Sequence, residues 1–104
     1  MPYIKQEQRN LIETKLQSLI DEIVALVRFE SMSVLPGILN YTITSLIKRV
    51  YKQSLQAETQ QENPTMTYSD HNEIVGMLDC AKMEFYRRNT APYEDTKIVQ
   101  NGDV

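Results

Sequence analysis

The sequence predicts an all-α fold: a three-helix domain with a long first helix and an extended C-terminal tail, assembled as a helical homo-oligomer. Three observations carry this expectation. Apolar residues recur at spacings of three and four along three long stretches, which is the period of an amphipathic helix. Turn-forming residues cluster between those stretches, at ESMSVLPG and at Asn63-Pro64. The third stretch is apolar around most of its circumference, so it needs more cover than two neighbouring helices supply.

The first helix is expected over residues 6–29, with Leu11, Ile12, Leu16, Leu19, Ile20, Ile23, Val24, Leu26 and Val27 on its apolar side. At 1.5 Å per residue it would span roughly 36 Å. A compact chain of about 100 residues has a radius of gyration near 13 Å, so such a helix crosses it entirely. It must kink or lean on a partner. The segment ESMSVLPG breaks the pattern. Pro36 suits the first turn of a new helix because its missing N–H would be unpaired there anyway, and Ser33 just upstream is a candidate cap. The second helix is expected over residues 36–52, with Leu39, Ile43, Leu46, Ile47 and Val50 apolar. Beside them, Asn40, Thr44 and Lys48 form a polar stripe at spacings of four, flanked by Tyr41 and Ser45.

Residues 53–67, QSLQAETQQENPTMT, read as a long polar loop closed by the turn pair Asn63-Pro64, and their composition offers little to bury. The third helix is expected over residues 69–89, with Asp70 and Glu73 as a capping box. Pro92 is expected to stop it, because the residue before a proline is pushed out of the α region. Residues 92–104 are then a tail. Ile74, Leu78, Ala81 and Phe85 form one stripe of the third helix, and Val75, Met77, Cys80, Met83 and Tyr86 widen it. Gly76 costs about 1 kcal/mol relative to alanine in a helix interior, a cost that close packing of another backbone would offset. A dimer, or a multiple of dimers, is the simplest source of that cover.

The 104 residues form a single domain on length alone, with a narrow margin for a core of its own. A net charge of −3 and a pI near 5.1 argue against a duplex-DNA binder, which needs a broad basic face. One cysteine excludes an intrachain disulfide, and a reducing cytosol is the natural setting. The start, MPYIKQEQRN, lacks the apolar segment of a secretory leader, and no apolar run approaches the roughly 20 residues of a membrane span. A soluble, cytoplasmic protein is expected.

Catalytic chemistry is scarce. His71 is the only histidine and sits in the first turn of the third helix, where the helix dipole disfavours its cation. One His and one Cys make no His/Cys metal set. No phosphate loop or nucleophile elbow is present. The chain is therefore expected not to be an enzyme, and no cofactor is expected. Binding chemistry is better supplied. Arg87 and Arg88 fall in the last turn of the third helix, where cations oppose the negative end of the dipole; they also make a fork for phosphate or carboxylate. Tyr86 and Tyr93 offer faces for a planar ring. A competing structural role is open for the arginines: pairing with Glu94 and Asp95 of a tail that folds back, worth about 0–1 kcal/mol per exposed pair.

Three blocks carry a resemblance: MPYIKQEQR at the start, LNYTITSLI at 39–47, and YSDHNEIVGMLDCAKMEFYRRNTAPYEDTKIVQNGDV at 68–104, with its EFYRR, APYED and NGDV motifs. The chain resembles a family of small uncharacterised proteins associated with phages, prophages and their bacterial hosts. The resemblance implies a phage-type protein in the host cytosol. Phages encode small oligomeric proteins that sequester host nucleotide immune signals between subunits, and the chain is similar to those in size, expected assembly and ligand chemistry. The first functional expectation is therefore a non-enzymatic, anti-defence binder of a small nucleotide-like anion at a subunit interface. Arg87, Arg88 and Lys48 would meet phosphate. Tyr41, Tyr86 and Tyr93 would stack. Asn40, Thr44 and Asn72 would hydrogen-bond. The alternative is a protein–protein interaction module, such as an inhibitor of a host protein acting through apolar helical faces. A nucleic-acid binder ranks third because of the acidic charge.

Overall fold

The computed structural model describes residues 3–104, which are helical with no strand among them. Three helical runs are separated by a short turn and a short connection. They divide into two compact units, residues 3–65 and residues 66–104.

The first unit is a pair of long helices. α1 spans Gln6–Phe29, and the Gln8 side chain accepts from the Lys5 N–H at 2.8 Å to satisfy one donor of its open first turn. A 3-10 turn, Met32–Val34, joins it to α2, Leu35–Thr59. Ser31 rather than Ser33 is the capping side chain: its Oγ accepts from the Ser33 N–H at 3.3 Å and shares a 2.6 Å hydrogen bond with the Ser33 hydroxyl. The cap serves the 3-10 turn, and α2 starts with no side-chain cap but with Pro36 in its first turn. Close backbone approach in this unit is concentrated at the turn, which touches both long helices. Val27 is the one buried residue among those described. Leu11 is 82% exposed and Phe29 87%.

α2 continues seven residues past the expected end at Lys52, so the polar loop begins at residue 60 rather than 53. The reason lies in the residues. Ser-Leu-Gln-Ala-Glu holds good helix formers, and Ile47, Tyr51 and Leu55 continue a half-buried row at spacings of four. Thr59 Oγ1 bonds back to the Leu55 carbonyl at 2.7 Å. The helix stops at Gln60, whose left-handed φ of 56° reverses the chain while its N–H still reaches the Gln56 carbonyl.

The second unit is one continuous helical run. α3, Tyr68–Phe85, leads through a π-helical turn, Tyr86–Thr90, into α4, Ala91–Asn101. The capping box lies three residues earlier than expected. Thr67 Oγ1 accepts from the Asp70 N–H at 3.2 Å, and Asp70 Oδ2 accepts from the Thr67 N–H at 2.8 Å. Asp70 is thus the third helical residue of the box and not its cap. Thr67→Ala is expected to cost about 1 kcal/mol, read as a lower urea midpoint with an unchanged slope.

Pro92 does not end the helix, and residues 92–104 are not an extended tail: helix persists to Asn101 and closes at Gly102, φ 89°. A proline inside an α-helix lacks the N–H and collides with the carbonyl four residues back. The π turn answers this by carrying the hydrogen bonds at a wider interval, with the Ala91 N–H bonded to the Tyr86 carbonyl. Pro92 then occupies the first turn of α4, followed by Glu94, the arrangement of a helix start. No helix among the described residues is long and apolar enough to cross a membrane.

Candidate functional site

Two clusters of polar side chains stand out, one in each unit. On α2, residues 37, 40, 41, 44, 45 and 48 share one side of the helix by its 3.6-residue period. Gly37, Asn40, Tyr41, Thr44, Ser45 and Lys48 line a solvent-open concavity of about 410 Å³. Gly37 keeps one end open, since a Cβ there would meet nothing within 4 Å among the described residues. Arg49 joins the cluster, its Nη2 donating to the Tyr41 hydroxyl at 3.5 Å. Asn40, Tyr41, Thr44 and Lys48 are therefore brought together as the spacing of the sequence implies. Arg49 was legible too: it stands eight residues after Tyr41, within the reach of a long side chain over two turns.

A second hollow lies inside the elbow. Ile23 and Leu26 of α1 face Val34, Ile38 and Tyr41 across a cleft of about 730 Å³, with Glu22, Ser33 and Thr42 as its polar groups. The Thr42 hydroxyl bonds to the Ile38 carbonyl at 2.7 Å. The lining is mainly apolar and open to solvent. Tyr41 borders both hollows.

In the second unit the π turn arranges the other cluster. In a regular α-helix, residues eight apart lie about 80° from each other around the axis. One extra residue in a widened turn makes eight act as seven, which is nearly the same face. Tyr86 and Glu94 are eight apart, and the Tyr86 hydroxyl donates to Glu94 Oε1. Proline therefore causes the wide turn, and the wide turn places this pair. The hydrogen bond to Glu94, then the negative charge of Glu94, followed by desolvation and Asp95, hold the Tyr86 phenol above its usual pKa.

Arg87 Nη2 pairs with Glu84 Oε1 at 2.7 Å, and Arg88 Nε bonds the same oxygen. Glu84, one turn earlier, is thus a carboxylate partner that the two arginines share. With α4 helical, no tail folds back over them. Tyr93 carries Lys97 over its ring, 5.5 Å from the centroid. Asn72 stands apart near the start of α3, roughly 20 Å along the helix from Tyr86 at 1.5 Å per residue. Its fourteen-residue separation in sequence gave no period that would bring it nearer.

Residues 1–104 match the domain of unknown function DUF6899. The chain belongs to this family. No curated protein and no solved structure matches it. Nothing in the DUF6899 chain's described residues groups three metal-ligating side chains, and Cys80 is exposed rather than buried on α3.

The Tyr86–Glu94 bond gives a pH signature. A phenol whose pKa is raised in the folded chain contributes stability that is fully present below the unfolded pKa, near 10, and is lost as pH rises through the folded value. In alkaline titration followed by phenolate absorbance, Glu94→Gln is expected to bring one tyrosine to lower pH. An identical titration curve for the variant would show that the bond does not form in solution.

Proposed function

We propose that this DUF6899 protein is a non-enzymatic, phage-type homo-oligomer that binds and sequesters a small nucleotide-like anion where subunits meet. The observation that carries the reading is the α2 concavity, in which an amide, a phenol, two hydroxyls and an ammonium share one open hollow. This mixture suits a ligand with a planar ring, ribose-like hydroxyls and phosphate. Lys48, Arg87 and Arg88 meet the phosphates. Tyr41, Tyr86 and Tyr93 supply ring faces. Asn40, Thr44 and Asn72 supply hydrogen bonds. The exposed apolar faces of α1 and α3 support the assembly that would complete the site.

Thermal shift against cyclic di- and trinucleotides and ADP-ribose derivatives tests it. A ligand at one hundred times its dissociation constant stabilises the folded state by about 2.7 kcal/mol, a rise on the order of 10 °C for a domain of this size. A flat panel would remove the reading. The same apolar exposure favours a second reading, an interaction module or inhibitor that acts on a host protein through its helical faces. Retention of one stoichiometric host protein together with a flat ligand panel would favour it.

A further inference from the structure

We propose that Lys48, Arg49 and Lys52 of α2 form a cradle for two linked phosphates, so that the α2 hollow takes a nucleotide carrying a diphosphate. The cradle rests on the nucleotide reading above and deepens it: it gives the class of nucleotide and adds Arg49 and Lys52 to the site.

The chain has a net charge of −3, yet it carries no carboxylate between Glu30 and Glu58, and Lys48, Arg49 and Lys52 are the charged residues of that stretch. Two ordinary uses of a surface cation do not account for them. The first is an ion pair. Lys82, Arg87 and Arg88 each pair with a carboxylate one turn away, whereas none of the three α2 cations makes an ion pair among the described residues. The second is the helix dipole. Its influence falls off within the last turn, and the last turn of α2 has no basic residue. Three exposed cations that repel one another, with no carboxylate beside them on their helix, raise the local potential and attract an anion.

The helical period puts the three within reach of one ligand. Lys48 and Lys52 lie about 40° apart around the axis and roughly 6 Å apart along it, with Arg49 about 100° from Lys48. Tyr41 lies within about 20° of Lys48 and roughly 10 Å nearer the elbow. That separation is the base-to-phosphate reach of one nucleotide. Arg49 already turns toward this side, since its Nη2 donates to the Tyr41 hydroxyl at 3.5 Å. The bond uses one donor and leaves the other N–H groups of the guanidinium for phosphate. Lys48 itself lines the hollow with Tyr41, so the cradle continues it without a break.

The number of cations selects the ligand. One phosphate monoester carries a charge of about −1.5 to −2. Three cations exceed that charge and suit two linked phosphates. Cyclic phosphodiesters hold one charge per phosphate and keep those phosphates apart, so they do not concentrate charge on one helical turn.

Titration calorimetry on the full-length protein tests the proposal, with ADP and GDP set against AMP and GMP. Each diphosphate is expected to bind at least tenfold more tightly than its monophosphate. Arg49→Gln and Lys52→Gln should each weaken the diphosphate at least fivefold and the monophosphate less than twofold. Lys15→Gln, at an exposed cation of α1, makes the same change in net charge and should leave both affinities unchanged. Circular dichroism checks that helix content is equal in all three variants. Nucleotide binding without a diphosphate preference, or with a preference that Arg49→Gln and Lys52→Gln leave intact, would overturn the cradle while the nucleotide reading stands. Inorganic pyrophosphate bound as tightly as ADP would make the ligand a free polyphosphate and overturn the nucleotide class. A single-stranded oligonucleotide bound more tightly than ADP would make α2 a nucleic-acid track and overturn it likewise. Silence from all of these probes and from the cyclic nucleotides would remove the nucleotide reading and the cradle together.

Discussion

Leu78→Ala is expected to weaken self-association by roughly 30- to 4,000-fold, because truncating a leucine in a packed contact costs about 2–5 kcal/mol. In the single chain Leu78 is 42% exposed on α3 and belongs to the stripe with Ile74, Ala81 and Phe85. A side chain so exposed has little to lose within its own chain. A large effect would therefore report on a contact made by a second copy. Leu78→Asp should go further and abolish assembly, since an unpaired carboxylate in an apolar contact carries a desolvation cost of several kcal/mol. Val99→Asp is the control. Val99 lies on α4 at 86% exposure, and surface substitutions of this kind stay within about 0.5 kcal/mol. Sedimentation velocity across a concentration series separates the cases, and equal behaviour of Leu78→Ala and the unsubstituted chain would sink the assembly argument. Because Val27 is the one buried residue among those described, the chain has little core, and loss of assembly is also expected to lower the thermal midpoint and to make it concentration-dependent.

The parts of this architecture that sequence could reveal are those governed by local period. α1 shows its apolar row at spacings of three and four, and the five polar residues of the α2 hollow follow the same arithmetic. Where two local rules compete, the pattern is ambiguous. Thr67-x-x-Asp70 and Asp70-x-x-Glu73 both satisfy the form of a capping box, and the structure takes the first. Polar composition suggested a loop at 53–59, but leucine, glutamine, alanine and glutamate are strong helix formers, and propensity won. Pro92 is the sharpest case. Proline forbids an ordinary α-helical hydrogen bond, yet a π turn gives that bond up one residue earlier. The signal was present in Ala-Pro-Tyr-Glu, which reads as the opening of a helix with proline in the first turn and an acid behind it. Whether Asn72 and Arg87 meet the α2 cluster is set by association between units or chains, for which no local period exists.

Alanine at both Arg87 and Arg88 is expected to weaken binding of whichever nucleotide raises the melting temperature by about 10- to 150-fold per arginine. That range follows from about 1.5–3 kcal/mol for a hydrogen bond to a charged group. Lys48→Ala should act in the same direction at the α2 hollow. Helix content should be unchanged in each variant, because the ion pairs these arginines make with Glu84 are exposed and contribute about 0–1 kcal/mol. Arg87→Lys distinguishes fork from charge: if the guanidinium grips phosphate through two parallel donors, lysine restores only part of the affinity. Glu84→Gln provides the opposite arm. It removes a carboxylate that competes with the ligand for both guanidinium groups, so binding should tighten. Titration calorimetry at two salt concentrations measures all four variants. Full affinity in the double alanine variant would take Arg87 and Arg88 out of ligand recognition and leave it to α2.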